Sequence, residues 1–181
     1  MQQIDEGILL WIRETLVADW LTPIMRCITF FGEYGAGWIL IALILLCFKK
    51  TRRAGLTVGI ALLAGLLLGE VLLKNLICRP RPFTLWPELT LLIPEPVGFS
   101  CPSGHTTSSF AAAVSLFMWN KKWGIGALIF AALVGFSRMY FTVHYLTDVL
   151  FGIALGLACG LAAWYLTGRL WNRRNRKEGI V

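Results

Sequence analysis

Histidine is scarce in this chain, charge is thin, and the cysteines follow no ligand spacing. Only His105 and His144 occur among 181 residues, and the five cysteines form no Cys-x-x-Cys or Cys/His pattern. The acidic residues that accompany the informative segments, Glu33, Glu88, Glu95 and Asp148, are scattered among cations. A hydrolase built on a metal needs several clustered carboxylates or imidazoles, so a metal centre is not expected and no cofactor is implied. A basic leader is missing too. Residues 1–6 are acidic and the apolar runs are several, reaching the C-terminus, so no cleavable secretory signal is expected.

What is abundant is apolar surface. Hydrophobic residues make up 57% of the chain and mean hydropathy is +0.68, more than a soluble domain of this length can bury. The bilayer is therefore the expected partner. A net charge of +7 invites nucleic acid as another, but the basic residues gather at the ends of the apolar runs, where topology alone places them. No nucleic-acid partner is expected.

The expected fold is all-α: a polytopic transmembrane helical bundle of five or six spans with an N-terminal amphipathic helix. Ile4, Ile8, Ile12 and Leu16 recur every four residues, with Asp5, Glu6, Arg13 and Glu14 on other faces, so the first helix reads as interfacial. A second short stretch carries Pro23 in its first turn and ends at a break over 32–37. The chain thus divides into interfacial helices over 1–31, a bundle over 35–171 and a cytoplasmic tail over 172–181. Spans are expected at 35–48, 54–78, 103–119, 123–141 and 146–170. The first covers only about two-thirds of a ~30 Å hydrocarbon core, so it must borrow length from the preceding helix or sit where the bilayer thins. Gly55/Gly59, Gly65/Gly69 and Gly152/Gly156/Gly160 recur at four-residue spacing, which suits close helix packing.

Basic residues outside the motifs fix an orientation. Lys49, Lys50, Arg52 and Arg53, then Lys121 and Lys122, then Arg169, Arg173, Arg174, Arg176 and Lys177 all belong to one side, which the positive-inside rule makes cytoplasmic. Lys74, Arg81, the Pro102–His105 turn, Arg138, His144 and Asp148 then share the extracytoplasmic side. A loop over 79–101 with five prolines lies there as well. Cys78 and Cys101 bracket it; two free thiols are the preferred reading, and a disulfide closing the loop is the alternative.

Pro102-Ser103-Gly104-His105 opens an apolar helix with free first-turn N–H groups, the positive end of a helix dipole and a residue without a side chain. That is a cradle for an anion. Lys74, four residues after Glu70, is either a snorkelling lysine in a salt bridge or an anion ligand. Arg81 and Arg138 are either interfacial arginines or forks for phosphate oxygens. Their convergence on a helix N-terminus favours phosphate, since gathered positive charge is costly unless an anion is received. His144 and Asp148 stand four apart, so a helix sets the carboxylate beside the ring, orienting it and leaving the other nitrogen to attack phosphorus. A structural His-Asp hydrogen bond is the alternative, but His105 falls on the same side, so one imidazole can be nucleophile and the other general acid. Ser103, His144 and Asp148 could also form an acyl-transfer triad, but the three cations would then be unexplained.

Lys74 with six residues before Arg81-Pro82, then Pro102-Ser103-Gly104-His105, then Ser137-Arg138 with five residues to His144 and three more to Asp148, resemble the tripartite signature of the type 2 phosphatidic acid phosphatase superfamily. The resemblance spans 74–148 and implies a helical core with a metal-independent mechanism through a phosphohistidine on His144. It further implies His105 as acid, Asp148 as the partner of His144, and Lys74, Arg81, Ser103, Gly104 and Arg138 as phosphate holders. The implied substrate is a lipid phosphate or diphosphate in the outer leaflet. Undecaprenyl diphosphate leads, with phosphatidylglycerophosphate, phosphatidic acid and lipid A phosphates as competitors, and a non-catalytic lipid binder or translocator is the reading from another class.

Overall fold

A computed structural model describes residues 2–177, and helices fill most of them. The order is α1 (Gln2–Leu16), α2 (Thr22–Phe31), α3 (Ala36–Cys47), α4 (Arg52–Gly65), a π-helical stretch (Leu66–Leu73), α5 (Lys74–Ile77), α6 (Gly104–Trp119), α7 (Lys121–Tyr140) and α8 (Leu146–Lys177). No strand occurs among the described residues. The tail expected over 172–181 lies outside the residues whose side chains are described, and helical backbone continues to Lys177.

Three helical runs, Arg52–Leu85, Lys121–Tyr140 and Leu146–Trp171, are long and apolar enough to cross a membrane. A fourth forms if α2 and α3, bent by 43° at the intervening break, count as one. Counted so, the short stretch at 35–48 borrows its length from α2. The difference from five or six lies mainly in α6, whose 16 residues reach only about 24 Å. It lies at the centre of the bundle, packed against α4, α7 and α8, with Ala111, Ala112 and Ala113 fully buried.

Glycine spacing explains how α6 is enclosed. A Cβ at Gly152, Gly156 or Gly160 of α8 would sit 2.9, 2.7 or 2.8 Å from the carbonyls of Ser103, Thr107 and Ala111 in turn. Two helices repeating every four residues therefore touch backbone to backbone. Gly55 does the same for α4 against Ala42 of α3, whereas Gly59 has nothing within 4 Å and is no packing device. Gly156→Val should lower stability by about 1–3 kcal/mol, because the carbonyl of Thr107 cannot retreat as a side chain would. The melting temperature of the detergent-solubilised protein checks this, and an unchanged value would mean the helices are free to part.

Of the N-terminal helix's apolar stripe Ile4, Ile8, Ile12 and Leu16, only Ile12 is buried. Leu9 and Ile12 are covered together with Asp5, while Ile4 is 67% exposed. In a membrane bundle an apolar face can turn to lipid as readily as to protein, so periodicity alone does not pick the packed side. Tyr140 of α7 anchors the following turn, its hydroxyl within 2.8 Å of the Thr22 hydroxyl and 3.1 Å of the Ala18 amide, which donates to it.

Candidate active site

Each motif falls where a helix begins or ends, at one end of the bundle. The π-helical stretch leads into Lys74, and such stretches widen a helix and often accompany functional sites. Lys74 Nζ donates to Glu70 Oε2 at 2.8 Å, the i,i+4 pair expected from the sequence. Cys78, with φ +50°, ends α5.

The loop that follows is closed without a disulfide. The Ser100 amide donates to Arg79 O at 2.9 Å, and its hydroxyl reaches the same carbonyl and that of Pro80. Arg13 of α1 and Arg26 of α2 donate to Thr90 O and Leu92 O farther along. Cys78 and Cys101 are free thiols, so the disulfide alternative is set aside. Cys78 is exposed and directed at the Asn75 carbonyl, while Cys101 is buried, and burial pushes its thiol up to about 11.

Arg81 does more than the sequence suggested. Nε donates to Gly98 O at 2.8 Å, Nη2 to Val97 O at 3.1 Å and Nη1 to Val143 O at 3.1 Å. Its guanidinium thus staples the loop to the segment carrying His144, and Nη1 lies 3.3 Å from His144 Nε2. An interfacial arginine or a fork for phosphate oxygens was expected; three of its five N–H groups are engaged by carbonyls here.

Ser103 and Gly104 form the turn into α6. The Ser103 hydroxyl accepts from Thr106 Oγ1 at 2.9 Å, and the Ser103 amide donates to the Asp148 carbonyl at 3.1 Å. A Cβ on Gly104 would collide with the Glu70 carboxylate, so the glycine admits an acidic group to the helix N-terminus, the kind of group such an end favours.

Between α7 and α8 the chain reverses sharply. Thr142 takes φ +58°, rare for a β-branched residue, and Val143 N donates back to Arg138 O at 3.1 Å. The reversal turns His144 inward, almost fully buried. Its Nδ1 lies 3.6 Å from Asp148 Oδ2, an ion-pair distance beyond hydrogen-bond reach. Burial pushes this imidazole down to about 3, with Arg138 and Arg81 adding to the effect, so the ring is neutral with a lone pair available. Arg138, also buried, donates from Nη1 to Thr29 Oγ1 at 2.5 Å.

Several partners escaped the sequence reading. Asp148 Oδ2 accepts from the Tyr145 amide at 2.9 Å, and Oδ1 accepts from Arg79 Nη1 at 2.7 Å. Arg79 stacks its guanidinium 3.9 Å from the centre of the Tyr145 ring and donates to Asp5 Oδ2 at 2.8 Å. Asp5 also accepts from the amide and hydroxyl of Thr147. The only prior sign of Arg79 was the doubled Arg-Pro of Arg79-Pro80-Arg81-Pro82; Asp5, 74 residues away, gave none. His105 Nε2, meanwhile, lies 3.3 Å from Glu33 Oε2.

The class these features define is a helical membrane protein with buried cations gathered near two imidazoles at one end of its bundle. Comparison gives the family. The profile of the PAP2 superfamily matches residues 54–172. The chain is 39% identical over 130 residues to an undecaprenyl-diphosphatase of Sulfolobus acidocaldarius, covering 70% of this chain and 63% of that protein. It is 34% identical over 140 residues to undecaprenyl-diphosphatase BcrC of Bacillus subtilis, covering 77% and 72%. The crystal structure of a transmembrane PAP2 type phosphatidylglycerolphosphate phosphatase from Bacillus subtilis superposes with a TM-score of 0.75 at 30% identity, over 93% of this chain and 86% of that one. The protein belongs to the PAP2 superfamily.

Proposed function

We propose that this protein is a membrane lipid phosphatase that removes a phosphate from undecaprenyl diphosphate at the extracytoplasmic face of the cell membrane. The observation that carries the reading is the setting of His144. One ring nitrogen faces Asp148 and the other lies 3.3 Å from Arg81, so the same imidazole is oriented by an anion and aimed where a cation receives one. A binding protein needs the cations but has no use for a buried neutral imidazole so arranged.

His144 Nε2 attacks the terminal phosphorus, and the bond from phosphorus to the bridging oxygen breaks. The proton for that oxygen comes from His105, and the developing imidazolium of His144 is stabilised by Asp148. Water then attacks the phosphohistidine with His105 taking its proton, which frees phosphate and restores both rings. Lys74, Arg81, Arg138, the Gly104 turn and Ser103 hold the phosphoryl oxygens, and their charge stands in for a metal ion. Asp148 has a second partner in Arg79, whose 2.7 Å hydrogen bond to Oδ1 holds the carboxylate in place.

The basic residues at the opposite helix ends support this face, with α1 near the outer interface. A polyprenyl diphosphate suits the site because its leaving group is itself a phosphate, and because both sequence relatives above are named for that substrate. Purified protein in detergent with a chelator should release phosphate fastest from undecaprenyl diphosphate, ahead of phosphatidylglycerophosphate, phosphatidic acid and lipid A phosphates. Preference for a glycerophospholipid monoester would move the substrate to that class; failure without added divalent metal would discard the mechanism.

A further inference from the structure

We infer that Glu33 is a positioning residue for His105, holding the ring through Nε2 so that Nδ1 gives its proton to the leaving oxygen. This rests on the assignment of His105 as the acid. Glu33 lies outside the region matched by the family profile, in the break between α2 and α3.

The break is shaped around this ring. Tyr34 has φ +49° and Gly35 φ +69°, so two consecutive residues take the left-handed conformation. Tyr34 is 91% exposed, and its own packing offsets none of that cost. What the turn achieves is placement of Glu33, whose Oε2 lies 3.3 Å from His105 Nε2. The backbone is drawn close as well: a Cβ on Gly32 would stand 3.0 Å from His105 Cδ2, and one on Gly35 would stand 3.7 Å from Ser108, a turn farther along α6.

The surrounding charge gives the contact a purpose. Arg138 from α7 and Lys74 from α5 face the same ring, and Arg138 also faces Glu33. Two cations work against a positive imidazole, which a proton donor must be before it donates; Glu33 is the carboxylate set to offset them. Stability is a poor explanation, since the Glu33 side chain is 44% exposed and pairs of that kind contribute little. In the chemical step, the proton leaves Nδ1 for the leaving oxygen as the phosphorus–oxygen bond breaks. Glu33 remains ionised throughout.

Leaving-group dependence separates positioning from structure. The kcat of wild type, Glu33→Gln, Glu33→Asp and His105→Ala is measured on phosphatidic acid, whose alkoxide needs a proton, and on p-nitrophenyl phosphate, whose phenolate does not. Glu33→Gln should lose about tenfold or more on phosphatidic acid and no more than about twofold on p-nitrophenyl phosphate, with Glu33→Asp recovering part of the loss. The limb on which kcat falls with rising pH should move to lower pH in Glu33→Gln. Equal losses on both substrates, no loss, or an unmoved limb would overturn the inference while His105→Ala still discriminates. If His105→Ala also fails to discriminate, the assignment of the acid fails and this inference falls with it.

Discussion

His144→Ala should reduce phosphate release to background, a loss of roughly five to six powers of ten if a covalent intermediate is obligatory. No other nitrogen can replace it. His105 is fixed beside Glu33 on α6, while the position facing Arg81 belongs to the segment that the Thr142 reversal turns inward. Asp148→Asn should do less damage than His144→Ala, because the ring stays and the change weakens only its orientation and the stabilisation of its positive form. It should still be severe, for Asp148 also engages Arg79 and the Tyr145 amide. Turnover on the preferred lipid substrate checks both, with melting temperature measured alongside to separate lost chemistry from lost fold. Residual activity in His144→Ala within about tenfold of wild type would remove the nucleophile from the account.

Arg81→Lys should be the next most damaging change, about 10²- to 10³-fold in kcat, although charge is conserved. A lysine ammonium cannot donate along the three directions that reach Val97, Gly98 and Val143 while also facing His144 Nε2. Two consequences should therefore appear together: slower turnover, and a loop over 79–101 that is cut faster by protease. Arg138→Lys should slow turnover without loosening that loop, since the guanidinium contact of Arg138 is to Thr29 on α2. Equal loop protection in the two variants would show that Arg81 serves as a cation only.

The split between these arginines marks how far the sequence could be read. Pro23 near the start of α2, the break after Phe31, the Glu70–Lys74 pair and the glycine register of α8 follow local rules of helix geometry, and the structure contains each. The three clusters around Lys74, Pro102 and His144 were legible because each ends an apolar run on the same side. Their supports were not. Asp5 reaches Arg79, Glu33 reaches His105 and Thr29 reaches Arg138 across 74, 72 and 109 residues, and no local pattern encodes such a distance. All three come from residues 1–33, read from the sequence as interfacial helices and the start of the break that follows them. Buried polar residues on apolar helices need partners, but Asp5 reads from the sequence as one of several charges on the polar faces of α1, so its burial gave no advance sign. Which face of α1 packs on the bundle was not legible for a related reason, since lipid and protein accept the same side chains.

The central claim is that phosphorus passes through a bond to His144. The direct measurement is trapping by rapid quench into alkaline denaturant during turnover, with substrate labelled in its terminal phosphate and the modified peptide identified by mass spectrometry at neutral to alkaline pH. Label should appear on His144, lost in acid but stable to base as a phosphoramidate is, and it should be absent in His144→Ala; label on His105 with His144 unmodified, or turnover with no trapped histidine at all, would contradict the account.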